Sequence, residues 1–450
     1  MPPILLDLLY LIIFILGLPF AIYKTLTSAR FRAGWPERLG RVPDLPPGPR
    51  IWIHAASVGE VILARTLIDR LRREYPAAQL VLSTITSTGR ETAQKHFPGL
   101  PLFYFPLDLS FAIRKVFGVI KPSAVVLVEL ELWPNFLTIA RRRGVPVVVV
   151  NGRITERSVR RYRPFGPLAR RQFANVSHFA VQTEEYARRI ETFGVPRDRI
   201  TVAGTMKYDT VSTGIPAETV AACRQALRLR PDDLVLVGGS THAGEDELLI
   251  DFLKTHTAHG SKLRLILAPR HGTRVPDIER LVRQAGMLPV RKTDLDRGAA
   301  PPHFEDQPHV IVLDTTGELA RLYAVATVVF VGGSLVPHGG QNMIEPAALG
   351  KAVVFGPHTG NFRETVDLLL AAHAALVVET PDLLAPMLEG LLGDPAQRAE
   401  LGRRAQRLIE QQKGATERNF RAIQPVLDAA VGRGVKTELE FTPDEPDEHG

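Results

Sequence analysis

The chain has 450 residues, 45% of them hydrophobic and 23% charged, and its mean hydropathy is near zero, so it is long enough for two or three packed globular domains and an appendage. A single cysteine, Cys223, excludes an internal disulfide and suits a reducing compartment, and no Cys/His cluster has the spacing of a structural zinc site. A formal net charge of +7 leaves nucleic acid, a membrane surface or an anionic substrate open, so the distribution of charge has to decide.

The apolar run from Ile4 to Tyr23, interrupted by Asp7, Gly17 and Pro19, has about the 20 residues needed to span or enter a bilayer. It lacks the basic start and small-residue cleavage site of a signal peptide. Positive charges follow it at Lys24, Arg30, Arg32, Arg38 and Arg41, which keeps the following domain in the cytoplasm. Residues 1–23 therefore predict a membrane anchor, either spanning or monotopic.

Residues 51–54 predict a buried strand that passes through Ala55, Ala56, Ser57 and Gly59 into the helical pattern Val61 to Arg73. This reads as the first βα turn of an open sheet, and such sheets bind ligands at the carboxyl ends of their strands. Glu60 stands at that turn, as a general base or as an acid that complements the positive end of the helix. His54, inside the strand, reads as a core histidine. Further strands are predicted at 80–84, 102–105, 124–128, 146–151, 178–181 and 200–202, with helical patterns between them. Glu129 ends one of these strands and Lys207 follows another.

Arg153, Arg157, Arg160, Arg161, Arg163, Arg170 and Arg171, interleaved with Tyr162 and Phe165, form a second basic cluster. No RNP-like or other nucleic-acid signature accompanies it, so the expected partner is anionic lipid or a phosphorylated glycolipid and not nucleic acid. The polar stretch 209–218, with Gly214 and Pro216, resembles an interdomain linker.

After it the pattern restarts, with strands predicted at 234–238, 263–267, 310–313, 328–331, 352–355 and 375–377. The fold class is thus α/β, two sheets of similar size facing across a cleft. Arg270, at the end of one strand, is placed to meet phosphate oxygens, with a surface ion pair as the alternative. Gly332 and Gly333 turn the chain after another strand, and Gly339 to Pro346 opens a helix whose backbone N–H groups can hold a phosphate. Glu345 is then set to accept from ribose hydroxyls. The alternative there is a tight βα connection, and His338 beside the turn is ambiguous. Residues 433–450, acidic and containing two prolines, predict a disordered, solvated tail.

Five strings in chain order carry a resemblance: HAASVGE at 54–60, ELELWPN at 129–135, GTMKYD at 204–209, GGSLVPHGGQNMIEPAALGKAVVFGP at 332–357 and HTGNF at 358–362. Together they resemble the 3-deoxy-D-manno-octulosonic acid (Kdo) transferases of lipopolysaccharide assembly, from the N-terminal segment to about residue 425. The resemblance implies a GT-B glycosyltransferase with two Rossmann-like domains, residues 24–213 for the acceptor and 214–425 for CMP-Kdo. It implies a lipid A precursor as acceptor, the inner membrane as location with the catalytic domains on its cytoplasmic side, and no metal or other cofactor. Asp294-Leu295-Asp296, in a polar loop, is then a coincidental match to the D-x-D pattern of metal-using glycosyltransferases.

By position, Glu60 matches the family's catalytic base, and Glu129 and Lys207 match its transition-state stabilisers. The CMP side would comprise Pro269 and Arg270, then Thr316, Gly317 and Glu318, and finally Asn342, Met343, Ile344 and Glu345. Another GT-B nucleotide-sugar transferase and a noncatalytic membrane adaptor are the alternatives.

Overall fold

The computed structural model describes residues 34–257 and 262–432 together with scattered positions between Leu6 and Thr27. Most of the predicted anchor and the whole acidic tail, 433–450, lie outside the described residues. Among the described residues no helix is long and apolar enough to cross a membrane.

The chain divides into two compact units, one formed by residues up to Thr210 together with the chain from Gly414 onward, the other by Val211–Lys413. The first unit is built on β1 (Arg50–His54), β2 (Gln79–Thr84), β3 (Leu102–Tyr104), β4 (Ala124–Val128), β5 (Val147–Gly152), β6 (His178–Val181) and β7 (Ile200–Val202). They pair in parallel in the order β3-β2-β1-β4-β5-β6-β7. β4, Ala-Val-Val-Leu-Val, and β5, which opens with four valines, are buried along their whole length, the composition a strand acquires when helices cover both faces of its sheet. On one face Trp52 packs against Phe103, Phe117 and Phe136. On the other, helix α1 (Val58–Glu74) buries Val61, Leu67, Ile68 and Leu71.

The second unit holds β8 (Leu234–Thr241), β9 (Leu263–Pro269), β10 (Leu288–Arg291), β11 (His309–Val312), β12 (Val328–Val331), β13 (Ala352–Phe355) and β14 (Leu376–Val377). These are also parallel, in the order β10-β11-β9-β8-β12-β13-β14. β10 is absent from the sequence prediction. It is four residues long and contains Pro289, which is tolerated because β10 is an edge strand. Helix α2 (Glu245–Thr257) follows β8.

Helix α3 (Ala415–Val431) returns to the first unit, where Phe420, Ile423 and Leu427 join the core on the α1 side of the sheet. The sequence reading carried the second domain through residue 425. An amphipathic stripe shows that a helix must bury a face but does not say which sheet receives it.

In each sheet the chain reverses its direction of winding once. The reversal falls between β1 and β4 in the first unit and between β8 and β12 in the second. In open α/β sheets such a switch point leaves a crevice at the carboxyl ends of the strands.

Candidate active site

Glu60 lies at the first switch point, just past the end of β1. Ser57 is the N-cap of α1 and Glu60 is three residues on, the arrangement of a capping box. One carboxylate oxygen accepts from the Ala56 N–H at 2.7 Å and the other from the Ser57 hydroxyl at 2.9 Å. Only 9% of the residue is exposed. Burial pushes its pKa from 4.5 up to about 7; the two hydrogen bonds oppose the rise, and the negative charges of Glu129 and Glu131 add to it. The capping role and a proton-accepting role therefore coexist in one carboxylate, because the same backbone groups that hold it leave it desolvated and ready to take a proton near neutral pH.

Glu129 leaves the end of β4, the neighbour of β1. Its N–H bonds the Val150 carbonyl at 2.9 Å and its φ is +61°, a left-handed conformation that costs a non-glycine residue on the order of 1–3 kcal/mol. Burial raises the pKa of Glu129, while Lys207 and Arg153 hold it down. Burial also raises Glu131, whose carboxylate accepts from the Trp133 indole N–H at 3.0 Å. The structure thus brings Glu60, Glu129 and Lys207, far apart in sequence, into one electrostatic cluster, and adds Glu131 and Arg153, to which sequence reasoning gave no catalytic role.

Two clamps hold the turn that carries Lys207, a 3-10 segment over Met206–Thr210. Asn151, at φ +54°, accepts from the Met206 N–H at 2.9 Å, and its own N–H donates to the Asn419 side chain on α3 at 2.8 Å. Asp209 accepts from the N–H groups of Gly414 and Thr416, at 2.7 and 2.5 Å, where α3 begins. The loop after Glu129 is fixed at its far end by Asp108, which accepts from the N–H groups of Asn135 and Phe136 at 2.9 and 2.8 Å. Asp7, a break in the predicted anchor, accepts from the Ser110 N–H at 2.8 Å and from the Asn135 amide at 2.9 Å, so this charge in the apolar run has a polar docking place on the first unit.

His54 is fully buried; its Nδ1 lies 3.0 Å from the Ser83 hydroxyl, and burial depresses its pKa to about 3, which makes it the core histidine the sequence predicted. The second-cluster arginines, from Arg153 to Arg171, are all exposed, as is Phe165 at 60%.

In the second unit Arg270, Thr316 and Gly317 are exposed at the carboxyl ends of β9 and β11. The β11, β9, β8 and β12 loops leave the same edge of a parallel sheet, across about 14 Å for three strand spacings. The Arg270 N–H bonds the Thr241 carbonyl at 3.0 Å, which fixes the end of Pro269 beside β8. Glu345 accepts from the Asn342 amide at 2.9 Å, and burial raises its pKa.

Several sequence expectations on this side change. Met343 and Ile344 are buried, 0% and 2% exposed, so only their backbone is available to a ligand. Glu318 already accepts from the Thr315 hydroxyl and lies 3.8 Å from the Lys292 ammonium. Upstream of the 339–346 opening expected to hold a phosphate, the N–H groups of Gly333, Ser334 and Leu335, with that of His242, all donate to the fully buried Glu245 carboxylate at 2.7 to 3.0 Å. The helix that follows is only Ile344–Ala348, and Asn342 caps its Ile344 N–H at 3.0 Å. Asp294-Leu295-Asp296 lies in a short helix and not in a loop, and Asp296 pairs with Lys292 at 2.5 Å.

A family model described as 3-Deoxy-D-manno-octulosonic-acid transferase (kdotransferase) matches residues 33–210. A 3-deoxy-D-manno-octulosonic acid transferase of Haemophilus influenzae is 32% identical over 408 residues, 90% of this chain and 94% of that protein. One of Bordetella pertussis is 32% identical over 405 residues, 87% of this chain and 91% of that protein. Among solved structures, a glycosyltransferase of Rickettsia africae shares the fold, with a TM-score of 0.55 at 10% identity over 86% of this chain and 100% of its own.

Proposed function

This chain is a glycosyltransferase of the 3-deoxy-D-manno-octulosonic acid transferase family, and from that premise we propose that it transfers Kdo from CMP-Kdo to a lipid A precursor of the lipid IVA type, with inversion. The observation that carries the reading is the Glu60 carboxylate, buried at the first switch point, raised to about 7 and within the field of Glu129, which Lys207 in turn holds down.

In the proposed step Glu60 takes the proton of an acceptor hydroxyl as that oxygen attacks the anomeric carbon of Kdo. The bond from that carbon to the phosphate oxygen breaks on the opposite face, and CMP leaves with the electron pair. A base poised near the working pH serves such a transfer well. Lys207 offsets negative charge on the donor, and Glu129 steadies the positive charge that builds at the anomeric carbon. Arg270 and the loops bearing Gly317, Asn342 and Glu345 take the nucleotide.

The reading includes location at the inner membrane, with both units on the cytoplasmic side. The exposed arginines from Arg153 to Arg171, with Phe165 among them, suit an anionic lipid surface or an acceptor phosphate. The test is incubation of the full-length protein with CMP-Kdo and tetraacylated lipid A precursor, with products counted by mass spectrometry. Transfer that is lost in Glu60→Gln while CMP still binds supports the reading; intact donor and no transfer by the unaltered protein defeats it.

A further inference from the structure

Three histidines gather at the switch point of the second sheet. His242 follows β8, His271 follows β9 and His338 lies in the loop after β12. The rings of His242 and His338 stack with centroids 4.2 Å apart and planes 19° from parallel, and His271 meets His242 edge-on at 6.1 Å.

The backbone around the rings is built for this approach. Gly333 has φ +67°, and a side chain there would come within 3.3 Å of the His242 ring. The Asn361 amide donates to the carbonyls of His338 and Gly340 at 3.0 and 3.3 Å, which fixes the loop carrying His338. His242 is fixed from below, since its N–H is one of the four that Glu245 accepts.

The chemistry points to an anion. The Nε2 atom of His242 is buried without a hydrogen-bond partner, an arrangement that a bound acceptor would relieve. Burial, then the nearby His338, His271, Arg274 and Arg270, depress the His242 imidazole to about 4, so the ring is neutral at physiological pH and presents one N–H in a positive field. Arg274 is committed to Asp246 at 2.6 Å. Arg270 is exposed just past the end of β9, the strand next to β8.

A CMP-linked 2-keto sugar acid carries two anionic groups on one carbon, the phosphate oxygen and the carboxylate. Neighbouring loops that offer a guanidinium and a pair of imidazoles match that arrangement, since adjacent strands lie about 4.8 Å apart. We propose that His242 and His338 bind the carboxylate of the donor's acid sugar while Arg270 takes its phosphate, so that the histidine pair selects an acid sugar over a neutral one. This rests on the donor reading above.

CMP carries the phosphate without the carboxylate, so the comparison of CMP with CMP-Kdo separates the two sources of anion. In the full-length enzyme, His242→Ala and His338→Ala are expected to raise KM for CMP-Kdo about tenfold or more, the usual loss for a hydrogen bond to a charged group. The inhibition constant of CMP should stay within about twofold, which also reports an intact donor site. His242→Gln, which keeps an N–H near the Nε2 position, is expected to recover most of the loss. An equal weakening of CMP and CMP-Kdo in both alanine variants, or no change in either, overturns the assignment. A wild-type protein that neither uses CMP-Kdo nor is inhibited by CMP would instead remove the donor reading itself.

Discussion

The two switch points share a topology and treat a carboxylate in opposite ways. Glu60, beyond β1, has two hydrogen-bond donors and acidic neighbours, and its pKa rises to about 7. Glu245, beyond β8, is as deeply buried but saturated by four backbone N–H groups, and its neighbour Asp246 is paired with Arg274. What separates the two is the number of donors aimed at the charge: full coordination turns an acid into a structural rivet, and partial coordination leaves a base.

The same substitution at each position breaks this comparison most sharply. Glu60→Gln is expected to lower kcat by about 10²- to 10⁴-fold, the usual contribution of a positioned base. Folding should not suffer, because the amide can turn its oxygen toward the Ala56 N–H and its nitrogen toward the Ser57 hydroxyl. Folded Glu60 holds its proton more tightly than an unfolded glutamate, so stability declines as pH rises from about 4.5 to about 7 and the loss is complete above that. Removal of the charge should therefore raise Tm at pH 8, by about 1–3 kcal/mol of stability, and not at pH 4. Glu245→Gln should do the reverse at pH 8: it sets an amide donor against backbone N–H groups and lowers stability by about 3 kcal/mol. Thermal melts of both variants at two pH values check this pair, and a destabilised Glu60→Gln at pH 8 would contradict it.

What the sequence made legible follows the same division. The valine-rich strands β4 and β5 and the Ser57 to Glu60 cap are local patterns, in which burial and spacing are written in adjacent residues. The partners of Glu245 stand up to 90 positions away, and those of Asp209 stand 205 and 207 away, so no window of sequence contains them. Glu129 was found through a motif; its left-handed backbone was not, because no glycine marks it. In the second unit the glycine turn was visible, but its amides donate to Glu245, at a helix start far upstream that no local pattern connects to it.

A smaller effect should come from the clamps on the Lys207 turn. Asn419→Ala removes the acceptor for the Asn151 N–H, and Asp209→Ala removes the cap of α3, which costs about 1 kcal/mol of stability. If these residues position Lys207, kcat falls about tenfold while CMP inhibition is unchanged, since a slight misplacement of a charged group is felt mainly in the transition state. A loss of stability with unchanged kcat would confine both residues to holding the helix.

The smallest expected change is also the closest test of how coordination sets the Glu60 base. Ser57→Ala removes one of its two donors and the N-cap of α1, at a cost of about 1 kcal/mol. The Ser57 hydroxyl holds the Glu60 pKa down, so its loss should raise that pKa and move the acid limb of the kcat/KM profile, expected near pH 7 in the unaltered enzyme, to higher pH. Activity at pH 8.5 should recover toward the unaltered level, whereas activity at pH 6 should fall further behind. A profile that drops uniformly at all pH values would mean that Ser57 acts on geometry alone, and the contrast between a two-donor base and a four-donor rivet would lose its electrostatic meaning.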